Sequence, residues 1–259
     1  MLGSPAGRQP ELMRLAPSGH RPVLATGQQG DTITGNTRGG NGTIYYNVAS
    51  ADADRAGVWK LPVGGSPRRI AALPTDALPN GLALAPSGRT LYVADSHKGT
   101  VWSVPVSGGA AKAWLTDPAL EPTQAVPLGA NGLRYHDGAV WVSNLSKSTL
   151  LRIPVTATGG PGTIHVVADD LTGVDDFSFL SEHCDVVFAA LNGPNEIDEV
   201  APDGTTTTVL TASDGLASPT ATAVRGNRLY ITDAGLNEPH DAKLQSAVIS
   251  LGAPGGPRA

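Results

Sequence analysis

A single cysteine, Cys184, stands among 259 residues. A lone thiol excludes an internal disulfide and any zinc site built on cysteines. Charged residues are sparse too, at 16%. The net charge of -5 is spread along the chain, without a basic run to follow a phosphate backbone, so nucleic acid is not an expected partner. No apolar stretch reaches the ~18 residues of a membrane-spanning helix, so no membrane partner is expected either. The first twenty residues, MLGSPAGRQPELMRLAPSGH, hold no apolar signal-peptide core, which leads to the expectation of a cytoplasmic protein. There is no Gly-x-Ser-x-Gly elbow, which argues against a serine hydrolase. No P-loop or dinucleotide fingerprint runs from a strand into a helix. No segment carries a convincing amphipathic-helix pattern.

What the chain does have is glycine (32), proline (21) and an apolar content of 40%. That balance suits many short strands joined by tight turns. It also repeats. LPNGLALAPSGRTLYVADSHKGTVWSVPVSGG (78–109) and GANGLRYHDGAVWVSNLSKSTLLRIPV (129–155) share one plan. Each has Asn-Gly-Leu, a short strand, a glycine turn, a second strand ending in Asp or Asn, and a third strand ending in Pro-Val. Further copies begin near Ile33, Val174 and Pro219. Equivalent first-strand positions are Thr34, Asn80, Asn131, Asp175 and Thr220, spaced 46, 51, 44 and 45 residues apart. Alternating apolar residues in TLYVAD, AVWVSN and RLYITD mark strands rather than helices. A period of ~40–50 with several short strands per unit is that of a β-propeller blade.

The expected fold is therefore an all-β β-propeller, one domain over residues 1–259, with blades at about 28–74, 75–116, 126–169, 170–212 and 213–252. The third-strand signature occurs six times, the first time in LMRLAPSG, whereas the inner-strand signatures occur five times. Two closures follow. One is a six-bladed lineage whose first blade is a remnant at 10–27, keeping outer strands and lacking inner ones. The alternative is a five-bladed ring in which the N-terminal segment adds a strand to the last blade. The first is the preferred expectation.

In a propeller the first strand of each blade lines the central channel. Thr34, Asn80, Asn131, Asp175 and Thr220 should converge at its mouth, with Asp95, Asn144, Asn192 and Asp233 nearby. Amide oxygens around a carboxylate suit a hard divalent cation such as Ca²⁺. A carboxylate beside such a cation can serve as a base. Asn-Gly is also an ordinary turn dipeptide, and each copy alone reads as a turn. Recurrence at one repeat position favours a site.

LPNGLALAPSGRTLYVADS, GANGLRYHDGAVWVSN and GVDDFSF together resemble the SMP-30/gluconolactonase/LRE-like family over about residues 30–252. The resemblance implies a six-bladed propeller that binds a divalent cation, commonly calcium, and hydrolyses lactones or related esters. It implies metal ligation by Asn131 and Asp175, with Asp175 also the general base. It further implies that Asn80 contacts substrate or the metal-bound water. Two departures stand out. The family's first-blade Glu ligand has no counterpart in the inner strand expected to be missing. An Arg two residues before the Asn80 position is Leu78 here, which points to a substrate less polar than a sugar lactone. Asp176 is a substitute ligand by type, but strand parity turns it away from the channel.

Among other residues, His97 follows Asp95 at the channel mouth and is an acid–base or substrate-binding candidate. His183 reads as a turn residue. Glu238, His240 and Asp241 lie in a long loop that reads as solvated. Trp59, Trp102 and Trp141 recur at strand positions that suit packing between blades. The sequence thus points to a metal-assisted lactonase or esterase acting on a small molecule at the channel mouth. The alternatives are a strictosidine synthase-like enzyme with non-hydrolytic chemistry and a binding propeller without catalysis.

Overall fold

A computed structural model describes residues 9–16, 19–236 and 241–250. Glu238 and His240 lie outside the described residues. A hairpin comes first, β1 (Glu11–Met13) with β2 (Val23–Thr26). Four four-stranded antiparallel sheets follow. They are β3–β6 (Thr32–Arg38, Ile44–Ala49, Gly57–Leu61, Arg68–Ala72), and β7–β10 (Pro79–Leu84, Thr90–Asp95, Thr100–Pro105, Lys112–Thr116). Next come β11–β14 (Ala130–His136, Ala139–Asn144, Thr149–Pro154, His165–Ala168), and β15–β18 (Val174–Ser181, Cys184–Leu191, Glu196–Val200, Thr206–Leu210). A three-stranded sheet, β19–β21 (Pro219–Arg225, Arg228–Asp233, Lys243–Val248), completes the set.

Each sheet is a meander, and the apolar alternation explains the core. Side chains on opposite faces of a strand point to opposite neighbours, so each of the first four sheets contributes to two cores and the last to one. Leu82, Leu91 and Val93 of the second sheet pack with Tyr45 and Val58 of the first. Its opposite face, with Tyr92 and Ala94, packs against Leu133, Val140 and Val142 of the third. Trp141 and Leu150 meet Phe177 and Val187, and Phe188 and Ile197 meet Leu229 and Ile231. These cores join consecutive sheets into a β-propeller of five blades.

The described residues form five blades plus a separate hairpin at the place of the expected remnant, and no sixth blade is among them. Two finer points also change. β1 and β2 pair only with each other among the described residues, so no strand is added to the last sheet, which keeps three. Nor is β1 an outer strand, because Glu11, Leu12 and Met13 border the central cavity. The reason is packing. The first sheet has an apolar face without a blade before it, and Leu12, Leu24 and Ala25 cover it by resting on Tyr46, Val48 and Leu61.

Candidate functional site

Every inner strand starts with the same irregularity. Val174 and Phe177 of β15 face Leu191 and Ala189, so three residues of one strand span two of the other. The same one-residue shift occurs at Ile33/Asn36, Pro79/Leu82, Ala130/Leu133 and Pro219/Ala221. These are β-bulges, which bend a strand and re-aim its side chains. The recurrent Asn-Gly pairs sit inside them, within β7 and β11 rather than in turns.

The glycines are there because neighbouring inner strands nearly touch. A Cβ on Gly35 would lie 2.1 Å from Asn80 O, and one on Gly81 would lie 2.3 Å from Leu133 N. Bulge carbonyls are then satisfied from the preceding sheet. Asn47 Nδ2 donates to Asn80 O (2.7 Å), Ser96 Oγ to Ala130 O (2.7 Å) and Ser143 Oγ to Asp175 O (2.5 Å). Thr34 Oγ1 donates to Pro79 O at 2.6 Å.

These strands surround a central cavity of about 480 Å³. Thr34, Asn80, Asp175 and Thr220, four of the five equivalent positions, are on its wall. Asn131 is the fifth and sits behind the wall, 2% exposed. Its side chain hydrogen-bonds the Asp175 carboxylate, while its Oδ1 is buried without a hydrogen-bond partner, which leaves the amide nitrogen as the donor. Asn192 Nδ2 donates to Asp175 Oδ2 from the other side, at 3.3 Å. Asp175 is 7% exposed. Burial pushes its carboxyl pKa up and the charge of Asp176 adds to this, against the two amide hydrogen bonds.

Asp176 does not turn away from the cavity as parity suggests. It is on the wall, and its Oδ2 pairs with Arg134 Nη2 at 2.7 Å. Alternation holds only along regular strand, and the bulge resets it. Arg134 is also on the wall, with its guanidinium 5.7 Å from the centre of the Phe177 ring. Arg134 and Glu11 are site residues that the sequence reading missed. Glu11 brings an acidic residue to the wall from β1, a position the strand signature LMRLAPSG did not mark.

Four other candidates are elsewhere. Asp95, Asn144 and Asp233 are 0% exposed, absent from the cavity wall and occupied by hydrogen bonds elsewhere. Asp95 accepts from Leu78 N (3.0 Å), His97 N (3.2 Å) and Trp102 Nε1 (3.0 Å). Asn144 donates to Ala119 O and Glu121 O and accepts from Ser146 Oγ and Lys147 N. Asp233 accepts from Ala217 N and Gln245 Nε2. His97 is exposed, with Nδ1 3.4 Å from Asp76 O.

No known family profile matches the chain, and no curated protein matches it in sequence. Solved structures do resemble it. A catalytically inactive virginiamycin B lyase from Staphylococcus aureus, in complex with quinupristin, superposes with a TM-score of 0.66 at 14% identity, over 93% of this chain and 74% of the lyase. Regucalcin from Agrobacterium tumefaciens, a calcium-binding protein, gives 0.60 at 20% identity over 83% of this chain and 71% of its own. A structural-genomics protein assigned as a gluconolactonase gives 0.66 at 15% identity, over 92% and 82%. At such identities the likeness establishes the propeller fold and nothing finer.

Proposed function

We propose that the chain is a hydrolase of a lactone or related ester, working in the central cavity with Asp175 as its base. The observation that carries this reading is a buried carboxylate, its pKa raised by burial, held by two amides on the wall of a cavity large enough for a small molecule. A carboxylate whose pKa is raised is a stronger proton acceptor than a solvated one. The likeness of the fold to the assigned gluconolactonase supports the substrate class, and its likeness to calcium-binding regucalcin supports the cation.

The oxygens that would hold a hard cation are the Asp175 carboxylate, Asn80 and Glu11 on the wall and, behind it, the unpartnered Asn131 Oδ1; among the described residues no three carboxylate, imidazole or thiol groups gather at one point. When bound, a calcium-type ion supplies charge stabilisation for the developing oxyanion. The chain's own residues do the rest. Asp175 accepts the proton of the attacking water. Asn131 and Asn192 fix its carboxylate and keep it from turning away. Asp176 holds Arg134 on the wall, from which the guanidinium would donate to a substrate oxygen. Leu82 and Ala221 leave part of the wall apolar, which suits a ring or acyl body with few hydroxyls.

The test is a screen of lactones and carboxylic esters with the wild type and with Asp175→Ala. Turnover that falls at least a hundredfold in the variant supports the proposal. Full activity in Asp175→Ala removes it. A second reading, bond cleavage by elimination, draws on the fold's likeness to virginiamycin B lyase. Turnover in heavy-oxygen water separates the two, since hydrolysis places one solvent oxygen in the acid product and elimination places none.

A further inference from the structure

A second cavity, of about 600 Å³, opens between the hairpin and the first sheet. The hairpin contributes Leu12, Met13 and Leu24 to its wall, and the sheet contributes Ile44, Leu61 and Val63. Met13 is 47% exposed and Val63 73%, a large apolar side chain left open to water. The polar part of the wall has one sign of charge. Arg14 and Arg38 are on it, and no aspartate or glutamate is. Among the described residues neither arginine forms an ion pair, although the chain as a whole carries a net charge of -5. Arg38 lies beside Val63 over Gly42, where a Cβ would come within 2.8 Å of Val63 and 3.3 Å of the guanidinium. That glycine keeps the apolar wall and the cation adjacent.

We propose that this cavity binds a free alkyl carboxylate of the fatty-acid type. Its chain would lie on Leu12, Leu24, Ile44 and Leu61, with its headgroup on Arg14 and Arg38. Both parts of the wall are needed for this assignment. An apolar cleft alone would accept any alkyl chain, and two arginines alone would accept any small anion. Together they select a molecule with one of each. Leu12 and Met13 of β1 border both this cavity and the central one, so only one strand separates them.

Calorimetric titration of the full chain tests the proposal, with octanoate, decanoate and dodecanoate as probes. Dodecanol and dodecyltrimethylammonium are the controls. Saturable binding of one dodecanoate per chain is expected, with each added methylene tightening it roughly fourfold, the worth of a buried methylene. Arg38→Ala should weaken dodecanoate roughly tenfold, the worth of a charge-assisted contact. Val63→Glu should weaken it at least as much by neutralising Arg38. Val63 is exposed enough for that change to leave the fold intact, which a melting curve verifies. Asp175→Ala should bind dodecanoate unchanged, so this result stands apart from the fate of the hydrolase reading. The proposal is overturned by the absence of saturable binding below the micelle concentration. Equal affinity for the cationic amphiphile would overturn it as well, as would indifference of dodecanoate to both Arg38→Ala and Val63→Glu.

Discussion

Gly132→Ala tests the reason for the Asn-Gly pairs. A Cβ at this position would lie 2.4 Å from Asp176 Oδ1, 2.8 Å from Asp176 Cα and 3.0 Å from Asp175 O. The first contact is with a side chain, yet that carboxylate is already held by Arg134 and by the Phe177 backbone N–H (2.8 Å). The second is with backbone and can be relieved only by moving β15 away from β11. Overpacking of this kind costs roughly 1–3 kcal/mol. For a chain of this size that lowers Tm by roughly 3–10 °C. Stiffening the unfolded chain works the other way, stabilising by about 0.4–1 kcal/mol. Gly40→Ala measures that opposing effect alone, because a Cβ there meets nothing within 4 Å and its φ is not positive. The assay is thermal unfolding of wild type and both variants by circular dichroism. Gly132→Ala should melt well below wild type and Gly40→Ala at or slightly above it. If Gly132→Ala matches Gly40→Ala, the close approach of the inner strands is not what demands glycine, and the reasoning fails.

Asp175 makes stability depend on pH. Its folded pKa is raised, so its contribution is fully present below the usual carboxylate pKa and is lost as pH rises through the folded value. Asp175→Asn should therefore gain on wild type as pH climbs from acid toward neutral, in cation-free buffer; denaturant titrations at several pH values read this, and parallel curves would refute it. Asp95→Ala should cost roughly 2–4 kcal/mol, since it leaves the partly buried N–H groups of Leu78 and Trp102 without their acceptor. Its turnover per folded molecule should match wild type, and a selective loss of kcat or a rise in KM would return Asp95 to the substrate site. Leu12→Ala removes the side chain that seats the hairpin on Tyr46 and Val48 and should raise hydrogen exchange in β1 and β2 by at least tenfold. The cores between later sheets should be unaffected, and uniform loss of protection across all five blades would contradict a separately seated hairpin.

The residues alone determined the repeat. Period-two alternation within a period of ~45 is a local property, and it specifies strands, their hairpin order and two buried faces per sheet whatever surrounds them. It also made Asn80, Asn131 and Asp175 equivalent, and the structure brings Asn80 and Asp175 to one cavity with Asn131 bonded behind. The tertiary structure decided what alternation cannot carry. Bulges reset the parity of each inner strand, and this put Asp176 on the wall with Arg134. Asp95, Asn144 and Asp233 look like channel residues by position, yet each finds N–H or C=O groups to bond that come within reach only when segments distant in the sequence pack beside it. β1 became an inner strand because the first sheet had an apolar face to cover, a demand visible only after the other four blades are in place. Short polar side chains near strand ends can serve a ligand or their own backbone, and the count of unpaired groups left by the fold decides between them.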